Sequence, residues 1–434
     1  MPSIFTGLTN NKLFRLSVSV ISHLQVNSGR LKRSGMITVV SFLLVTLAAL
    51  LAFLVTIFLV EVIGAITLPQ RDCPMPAPED RSRHIAVVVP AHNESSNLLP
   101  TLSDIRAQLR GGDRLLVVAD NCTDDTAPVA ARAGAEVVVR DDPVRRGKGY
   151  ALDFAVRHLG LDPPDIVIIV DADCRLADRA LDRLAAACAL TNRPVQALDL
   201  MTAPDQSSIN FMVAEFAWRL KNWVRPLGLR ALGLPSQLMG TGMAFPWDLI
   251  RSVNLASNLI MEDLKLGLDL ALAGNPAVFC PFPCVRSEFP QTVESAQRQR
   301  QRWEQGHIMA IATMIPRLIF LAAAQANLGL LALTLDAAVP PLSLLVMLVA
   351  VVLVVAGLAT IFGVPPTAIS ISLISFVALV GGVFLSWVRY GRDILQPCSI
   401  LLIFPYVLRK LPLYVRILLR KLNLEWIRTD RGKP

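Results

Sequence analysis

Cysteine and charge are the two features that this sequence has little of. Its seven cysteines are scattered over 434 residues without a metal-ligand spacing, so no cysteine-bound metal is expected and we predict that all seven are reduced. Charged residues are missing altogether from three apolar segments, 37–60, 342–362 and 368–388. Each segment is long enough to cross a hydrocarbon core of about 30 Å. The sequence therefore predicts an integral, multi-pass membrane protein with at least three spans.

Basic residues are concentrated at the two ends of the chain. Residues 1–35 contain five basic and no acidic residues, and residues 389–434 contain ten basic and three acidic ones, against a net charge of +8 overall. The remainder is acidic on balance, so nucleic acid is not predicted as a partner. By the positive-inside tendency, we place the tail and the central domain in the cytosol, at a bacterial-type inner or plasma membrane. The N-terminal cations break that rule, and translation from Met36 would remove them.

After the first predicted span, apolar runs that indicate strands alternate with amphipathic patterns that indicate helices. An alternation of β and α units of this length predicts an α/β domain with a mostly parallel, doubly wound sheet. The predicted elements are strand Ala86–Val89, helix Asn97–Leu109, strand Leu115–Ala119, helix Thr123–Ala133, strand Glu136–Val139, helix Gly149–Leu159 and strand Ile166–Val170.

Polar side chains follow each of the four predicted strands. Glu94 follows the first strand, Asp120 the second and Lys148 the third, and Asp171 and Asp173 follow the fourth. Because parallel strands end at one edge of a sheet, we expect these side chains to converge there. Acids that can hold Mg²⁺ or Mn²⁺ beside strong cations suit a nucleoside diphosphate. Each residue also has a simpler interpretation, since an isolated Asp-x-Asp is more often a helix cap.

The stretch Ile260–Ala273 carries conflicting signals. Its leucines alternate strictly, which favours a strand, whereas the acidic pair Glu262-Asp263 at its start favours a helix. We predict a helix, on which Asp263 is a candidate general base beside a substrate pocket. The competing interpretation is an acid that only stabilises the helix N-terminus. Before this stretch, the small residues Gly240-Thr241-Gly242 allow a loop to approach a ligand closely.

Gln299, Arg302 and Trp303 fall on one face of a predicted helix, at positions i, i+3 and i+4. An amide, a guanidinium and an indole suit an oligosaccharide beside a diphosphate, because they offer a hydrogen bond, a phosphate clamp and a flat ring. The alternative is an amphipathic helix at the membrane interface, and we prefer it for Arg298 and Arg300.

Six short stretches, in order, resemble the motifs of the membrane-integrated family 2 inverting glycosyltransferases, the group that contains cellulose, hyaluronan and poly-N-acetylglucosamine synthases. They are VVPAHNE (Val88–Glu94), VADNCTDDT (Val118–Thr126), RRGKGYAL (Arg145–Leu152), VDADC (Val170–Cys174), MEDL (Met261–Leu264) and QRQRW (Gln299–Trp303). The resemblance implies a GT-A, Rossmann-like catalytic domain, a UDP-sugar donor and a divalent cation, Mg²⁺ or Mn²⁺.

The resemblance also implies a role for each site residue. Asp263 would be the catalytic base and Asp173 would bind the metal. Nucleotide binding would fall to Pro90, Glu94, Asp120, Lys148 and Asp171, and binding of acceptor and diphosphate to Glu262, Gln299, Arg302 and Trp303. The chain departs from the family after the second strand, where the usual pair of acids is here Asp120-Asn121, so that one acidic contact is lost.

Six segments make up the predicted organisation. They are an N-terminal basic segment (1–36), a transmembrane helix (37–67), a cytosolic GT-A catalytic domain (83–290), the Q-x-x-R-W and interfacial helices (291–341), a transmembrane hairpin (342–390) and a basic cytosolic tail with an interfacial helix (391–434).

The predicted function is transfer of a sugar from a UDP-sugar to a growing polysaccharide or oligosaccharide at the cytosolic membrane face, with formation of a β-linkage. The alternative is transfer of a single sugar to a polyprenyl phosphate or another lipid acceptor. Three spans are few for a polymer channel, so a partner subunit for export is a further expectation. A nucleotide-sensing transporter fits less well, because the apolar segments 37–60, 342–362 and 368–388 contain no ionisable residue.

Overall fold

The computed structural model describes residues 10–70, 83–205, 208–257, 259, 261–397, 407 and 409–418, with the backbone alone for residues 10–33. Residues 1–9 of the predicted N-terminal segment and most of the predicted tail lie outside these ranges.

One eight-stranded sheet organises the central part of the chain, in the order β3-β2-β1-β4-β7-β6-β8-β5. The strands are β1 Ile85–Ala91, β2 Arg114–Asp120, β3 Glu136–Arg140, β4 Ile166–Ile169, β5 Arg175–Leu176, β6 Val195–Thr202, β7 Met243–Pro246 and β8 Val278–Glu288. The pairs β1-β2, β1-β4, β2-β3 and β6-β8 are parallel, and β7 runs antiparallel to β4 and β6. The predicted α/β class is thereby confirmed, and the four predicted strands form one continuous half of the sheet.

Helices cover the sheet and extend beyond it. They are α1 Asn10–Thr67, α2 Leu98–Arg106, α3 Thr126–Arg132, α4 Lys148–Leu159, α5 Ala180–Thr191, α6 Ile209–Arg219, a π-helix Leu220–Val224, α7 Arg225–Ala231, α8 Trp247–Ile250, α9 Glu262–Leu272, α10 Val293–Thr313, α11 Ile315–Ala324, α12 Leu328–Ala338, α13 Leu342–Ile361, α14 Thr367–Tyr390 and α15 Leu411–Leu418.

The sheet is buried on both faces, which explains the unbroken apolar runs of its central strands. In β1, Ile85, Val87 and Val89 pack into one core with α2 and α5. Ala86 and Val88 point the other way, into a second core with α4 and α9. Because successive side chains of a strand alternate between faces, each strand must be apolar at every position to satisfy both cores.

The predicted helix at Ile260–Ala273 is confirmed as α9, and its packing explains the conflicting pattern. Leu264 and Leu268 pack on one side into a cluster with residues of α10, α11 and α12. Leu266 and Leu270 pack on the other side against the sheet. Two sets of leucines spaced by four, on opposite faces of a helix, read along the sequence as strict alternation.

Three helices in the described part of the chain are long and apolar enough to cross a membrane, namely Ser34–Thr67 within α1, α13 and α14. They coincide with the charge-free segments of the sequence. A fourth span results if α10 and α11, bent by 46° at their junction, are counted as one. The backbone of α1 is helical on both sides of the predicted boundary between residues 36 and 37. The chain divides into two compact units, Met1–Phe53 with Val346–Ala378, and Leu54–Leu345 with Leu379–Pro434, and the second contains the whole sheet.

Buried salt bridges join the end of α1 to the start of α7 and to α12. The Arg225 guanidinium donates to Glu61 Oε2 at 2.5 Å and to the backbone carbonyl of Asp336 at 2.9 Å, and it also pairs with the Asp336 carboxylate. Gln237 donates to that same carboxylate at 2.5 Å. The positive charge of Arg225 is paired with the negative charges of Glu61 and Asp336, and each of these charges would be costly to bury without a partner. The cluster thus connects the end of a membrane-type helix to the segment that leads into the Gly240 loop.

The prediction that all seven cysteines are reduced is wrong at Cys280, which is disulfide-bonded. Cys122, Cys174, Cys188 and Cys284 are free thiols. Spacing along the chain does not reveal which sulfurs meet in space, which is why the sequence pattern missed this bond. The expectation of a cytosolic domain therefore depends on the charge of the flanking segments alone.

Candidate active site

A cavity of about 240 Å³ is lined by the residues that follow β4, by residues of β6, by the first residues of α4 and α9, and by the middle of α10. Eight of the eleven predicted site residues line this cavity, although the first and the last of them are more than 150 residues apart in the sequence. These eight are Lys148, Asp171, Asp173, Glu262, Asp263, Gln299, Arg302 and Trp303. The expected convergence of side chains at the strand ends is therefore present for Lys148 and the Asp-x-Asp pair.

Lys148 and Asp171 form an ion pair at one end of the cavity. The Lys148 ammonium also donates to the Gly240 carbonyl at 2.8 Å, and the Asp171 backbone N–H donates to Thr241 Oγ1 at 3.1 Å. Burial alone would lower the pKa of Lys148, but the Asp171 and Glu262 carboxylates outweigh it and raise that pKa. The lysine is therefore a permanent cation, which suits a phosphate ligand.

Asp171 and Asp173 are the residues that fit a divalent cation. Within the described ranges, no group of three or more His, Cys, Asp or Glu side chains is arranged to hold a metal. Mg²⁺ and similar hard cations, however, are commonly bound by one or two carboxylates and complete their coordination with substrate phosphates. Two carboxylates on the wall of an open cavity match that arrangement.

Glu262 and Asp263 open α9 and face the same cavity. Burial is the main cause of a raised pKa in both carboxyls, to about 8 for Glu262. Asp263 Oδ1 accepts from the Leu264 backbone N–H at 2.8 Å. A carboxylate whose pKa is raised by burial is a stronger proton acceptor than one in water, as a general base requires.

Gly240 permits the close approach between its loop and Asp263. Its φ of +96° is one that side chains rarely adopt, and a Cβ at this position would come within 3.4 Å of Asp263 Oδ2 and 3.7 Å of Lys148 Nζ. The loop that the sequence identified by its small residues therefore lies beside both Asp263 and Lys148.

Gln299, Arg302 and Trp303 project from α10 into the cavity, as their spacing predicts. The Trp303 ring lies 5.0 Å from the Trp218 ring, centroid to centroid, at an angle of 43°. Arg300 instead lies over the Phe289 ring at 6.0 Å and donates to the Asn210 carbonyl at 3.3 Å. It does not line the cavity, and the membrane-interface interpretation that we preferred for it stays a prediction.

Pro90, Glu94 and Asp120 do not line the cavity, although they lie at the same edge of the sheet. Asp120 is buried and forms an ion pair with Arg140 at 2.5 Å. Glu94 accepts from the Asn97 amide at 3.2 Å. Pro90 and Asp120 lie at the carboxyl ends of β1 and β2, Glu94 follows β1, and β1 pairs in parallel with β4, the strand that leads to Asp171. Their nucleotide-binding role stays a prediction.

The sequence pattern missed a second wall of the cavity, made by Asp199, Trp218, Lys221 and Asn222. Asp199 lies near the middle of β6, a strand that was not predicted. The other three stand at i, i+3 and i+4 where α6 passes into the π-helix Leu220–Val224, so their spacing was a signal for a common face. π-Helical turns are rare and occur often at functional sites.

This second wall is tied together by hydrogen bonds. Asn222 Nδ2 donates to Asp199 Oδ2 at 2.9 Å, and the Trp218 indole N–H donates to the Asp199 carbonyl at 3.2 Å. Burial, followed by the nearby Asp171 carboxylate, raises the pKa of Asp199 to about 8. Burial lowers the pKa of Lys221, and the Asp263 and Asp199 carboxylates oppose that shift.

An α/β sheet that gathers carboxylates and a lysine around one cavity at its strand ends defines a ligand-binding enzyme site. Residues 82–306 match the family described as "Glycosyltransferase like family 2", which is more than half of the chain. The chain therefore belongs to glycosyltransferase family 2.

Curated relatives match a shorter stretch. An uncharacterized glycosyltransferase from Mycobacterium tuberculosis is 43% identical over 102 residues, which are 24% of this chain and 42% of the relative. Glucosyl-3-phosphoglycerate synthase from the same organism is 39% identical over 97 residues, 21% of this chain and 29% of that enzyme. The chain thus spans less than half the length of these relatives.

Two solved structures are similar. The mannosyltransferase PcManGT from Pyrobaculum calidifontis, in complex with GDP-Man and Mn²⁺, is 19% identical with a TM-score of 0.46, over 79% of this chain and 99% of that one. Glucosyl-3-phosphoglycerate synthase from Mycobacterium tuberculosis, in complex with Mn²⁺ and UDP-glucose, is 23% identical with a TM-score of 0.38, over 55% and 86% of the respective chains.

Proposed function

We propose that this protein is an inverting hexosyltransferase that moves a sugar from a UDP-sugar to a growing polysaccharide or oligosaccharide, with formation of a β-linkage. The observation that carries the proposal is one cavity that holds a half-buried acid, Asp263, together with the ion pair of Lys148 and Asp171. A base for the acceptor hydroxyl and a binding site for the leaving diphosphate must lie in the same cavity if both are to act on one glycosidic bond.

The reaction is a single displacement. Asp263 takes the proton from an acceptor hydroxyl, and the oxygen attacks the anomeric carbon of the donor sugar as the bond from that carbon to the diphosphate breaks. The diphosphate leaves with the electron pair of that bond, beside Lys148 and Arg302. One attack from the opposite face converts an α-linked donor into a β-linked product. A second catalytic carboxylate is not needed, in contrast to glycoside hydrolases.

A divalent cation, Mg²⁺ or Mn²⁺, would be held by Asp173 with Asp171, and it would neutralise charge on the diphosphate. Asp173→Ala should abolish metal-dependent UDP binding, with a loss of at least tenfold in affinity. Titration of UDP with and without Mn²⁺ measures this, and Asp178→Ala, an exposed acid on the following loop, is the control. Equal UDP binding in EDTA by the unchanged protein would contradict the metal site.

The donor is identified by screening. Purified protein is incubated with Mn²⁺ and UDP-glucose, UDP-N-acetylglucosamine, UDP-galactose or UDP-glucuronate, and UDP release is measured. A sequence relative has been solved with Mn²⁺ and UDP-glucose, which makes that pair the first to test. We expect release with one donor in clear excess over the others. No release with any nucleotide sugar would refute the proposed function.

The second candidate is transfer of a single sugar to a polyprenyl phosphate or other lipid. The observation in its favour is that the described chain has three helices that can cross a membrane, where a lipid acceptor is within reach. We propose a cytosolic catalytic domain for both candidates. Product length on a gel after incubation with a radiolabelled donor distinguishes a polymer from a one-sugar lipid, and a polymer would also call for an export path, with a partner subunit as one source.

A further inference from the structure

Gln196 is a polar residue between two apolar residues of β6. Its neighbours Val195 and Ala197 both pack into the first core of the sheet. Because side chains alternate along a strand, Gln196 points to the opposite face, where it is 0% exposed. A buried amide is costly unless both its oxygen and its nitrogen find partners, so these partners indicate why an apolar residue does not stand here.

Both ends of the Gln196 amide bind the loop that carries Gly240. The Oε1 atom accepts from the Met239 backbone N–H at 2.8 Å, and Nε2 donates to the Thr241 carbonyl at 2.9 Å. Nε2 also donates to the Ala197 carbonyl at 2.9 Å. The reverse orientation of the amide would set donor against donor and acceptor against acceptor, so the backbone fixes this one. One side chain therefore holds the loop on both sides of Gly240.

The loop needs this support because it contains two glycines with a left-handed backbone. The φ angles of Gly240 and Gly242 are +96° and +63°. Glycine loses more conformational freedom on folding than any other residue, so a loop of this composition is poorly fixed by its own backbone. The Gly242 carbonyl accepts from the Ala197 backbone N–H at 2.8 Å. The backbone on either side of Gly240 is held by Gln196 instead.

The loop in turn contacts the two residues that form the ion pair of the cavity. The Lys148 ammonium donates to the Gly240 carbonyl at 2.8 Å, and the Asp171 backbone N–H donates to Thr241 Oγ1 at 3.1 Å. The loop lines the cavity, whereas Gln196 does not. Gln196 can therefore act on a ligand only through the loop.

We propose that Gln196 is a positioning residue for the donor, because its hydrogen bonds to the Gly240 loop hold Lys148 and Asp171 in the geometry that binds a nucleoside diphosphate and its cation. This inference rests on the proposed function and extends it to a residue outside the cavity. Without Gln196 the loop adopts other conformations, and the donor must restore the competent one when it binds. Apparent affinity falls with the fraction of competent protein, so the loss appears in donor affinity. At saturating donor the loop is restored, and the chemical step keeps its rate.

The test uses the full-length protein in detergent with Mn²⁺. Gln196→Met keeps the length of the side chain and removes both hydrogen bonds to the loop. The KM for the preferred UDP-sugar and the Kd for UDP should rise about five- to tenfold, and kcat should stay within about threefold. UDP release measures KM and kcat, and titration with UDP measures Kd. A role limited to stability would lower the thermal midpoint without this split between KM and kcat.

Asn327→Leu is the matched control, because the Asn327 amide also bridges two segments through both of its ends. Its Oδ1 accepts from the Leu330 backbone N–H at 2.9 Å, and its Nδ2 donates to the Ala271 carbonyl at 3.2 Å. Asn327 does not line the cavity. The control variant should have a lower thermal midpoint and an unchanged KM and Kd. An equal rise of KM in both variants would show a general loosening of the fold and overturn the inference.

A double-mutant cycle tests the path through the loop. Thr241→Val keeps the shape of the side chain and removes the hydroxyl that accepts from the Asp171 backbone N–H. If Gln196 acts through the loop, the fold-loss of UDP affinity in the double variant with Gln196→Met is smaller than the product of the two single losses. Two independent losses that multiply fully would overturn the inference.

The outcomes separate the inference from the proposed function. An unchanged KM and Kd in Gln196→Met, in a protein that transfers sugar, would overturn the inference while the proposed function stands. Weaker UDP binding by Gln196→Met, in a protein that transfers sugar to no acceptor, would support the inference and refute the proposed function. Failure of both Gln196→Met and Gln196→Leu to fold would reduce Gln196 to a structural role and overturn the inference.

Discussion

Asp263 is the residue to which the proposed function assigns the proton transfer, and it lies next to both the Gly240 loop and Lys221 of the second wall. Asp263→Asn keeps the shape and removes the proton acceptor, so transfer should fall about 10²–10⁴-fold, as for loss of a general base. UDP affinity should stay within a few fold. Sugar transfer in washed membranes and UDP titration measure the two quantities. Asp269→Asn, on the exposed side of the same helix, is the control, and retained transfer by Asp263→Asn would refute the role of base.

The raised pKa of Asp199 predicts that the free energy of unfolding depends on pH. Its pKa is raised from the usual 3.8 to about 8, so between these values the folded state holds a proton that the unfolded state has lost. Stability contributed by this group is therefore full at low pH and declines as the pH rises towards 8. Asp199→Asn cannot ionise, and relative to the unchanged protein it should gain about 1–3 kcal/mol between pH 5 and pH 8.

Unfolding of both proteins in EDTA at the two pH values measures that gain. EDTA removes divalent cations, which would otherwise stabilise the ionised carboxylates of the site. An equal difference in stability at pH 5 and pH 8 would show that Asp199 is already ionised in the folded protein.

Among the elements, α7 and the end of α1 make the contact that connects the catalytic part to a membrane-type helix. A Cβ on Gly228 would overlap the backbone carbonyl of Glu61. Alanine normally stabilises a helix by about 0.5–1 kcal/mol relative to glycine, but here the overlap should reverse the sign. Gly228→Ala should destabilise the protein by about 1–3 kcal/mol, as overpacking does.

The control for Gly228→Ala is Gly381→Ala in α14, where a Cβ would meet nothing within 4 Å. Thermal unfolding in detergent should show a lower midpoint for Gly228→Ala and an unchanged or higher midpoint for Gly381→Ala. Equal midpoints for the two variants would mean that α1 and α7 separate without cost.

At the scale of the whole molecule, the number of candidate spans predicts on which side of the membrane each connecting segment lies. If Ser34–Thr67, α13 and α14 each cross the membrane, we expect the sheet and the segment that follows α14 on one side, and residues 362–366 on the other. A green fluorescent protein fused after residue 434 should fluoresce in bacteria, and alkaline phosphatase inserted at Pro365 should be active. An inactive phosphatase at Pro365 together with a fluorescent C-terminal fusion would place both reporters in the cytosol and would contradict a membrane-crossing hairpin of α13 and α14.

Much of this molecule follows from local pattern. Unbroken β-branched and aliphatic runs predicted β1, β2 and β4, because a strand buried on both faces must be apolar throughout. The short run Val137–Val139 predicted β3, although this edge strand is only partly buried. Charge-free segments predicted the three long apolar helices, because hydrocarbon excludes charge. The residues at the strand ends were predicted to converge because parallel strands share an edge, and Lys148, Asp171 and Asp173 line one cavity.

Only the tertiary structure decided how the second half of the site is built. β6 and β8 pair across more than 70 residues, and no local spacing reports such a pairing. The π-turn that brings Trp218, Lys221 and Asn222 to one wall depends on packing around it, as does the burial that raises the pKa of Asp199. The sequence by itself determined the family, the α/β class and the acidic residues that follow β4. The second wall of the cavity is set by long-range contacts, because the burial of Asp199 and its hydrogen bond from Asn222 exist only once the chain has folded.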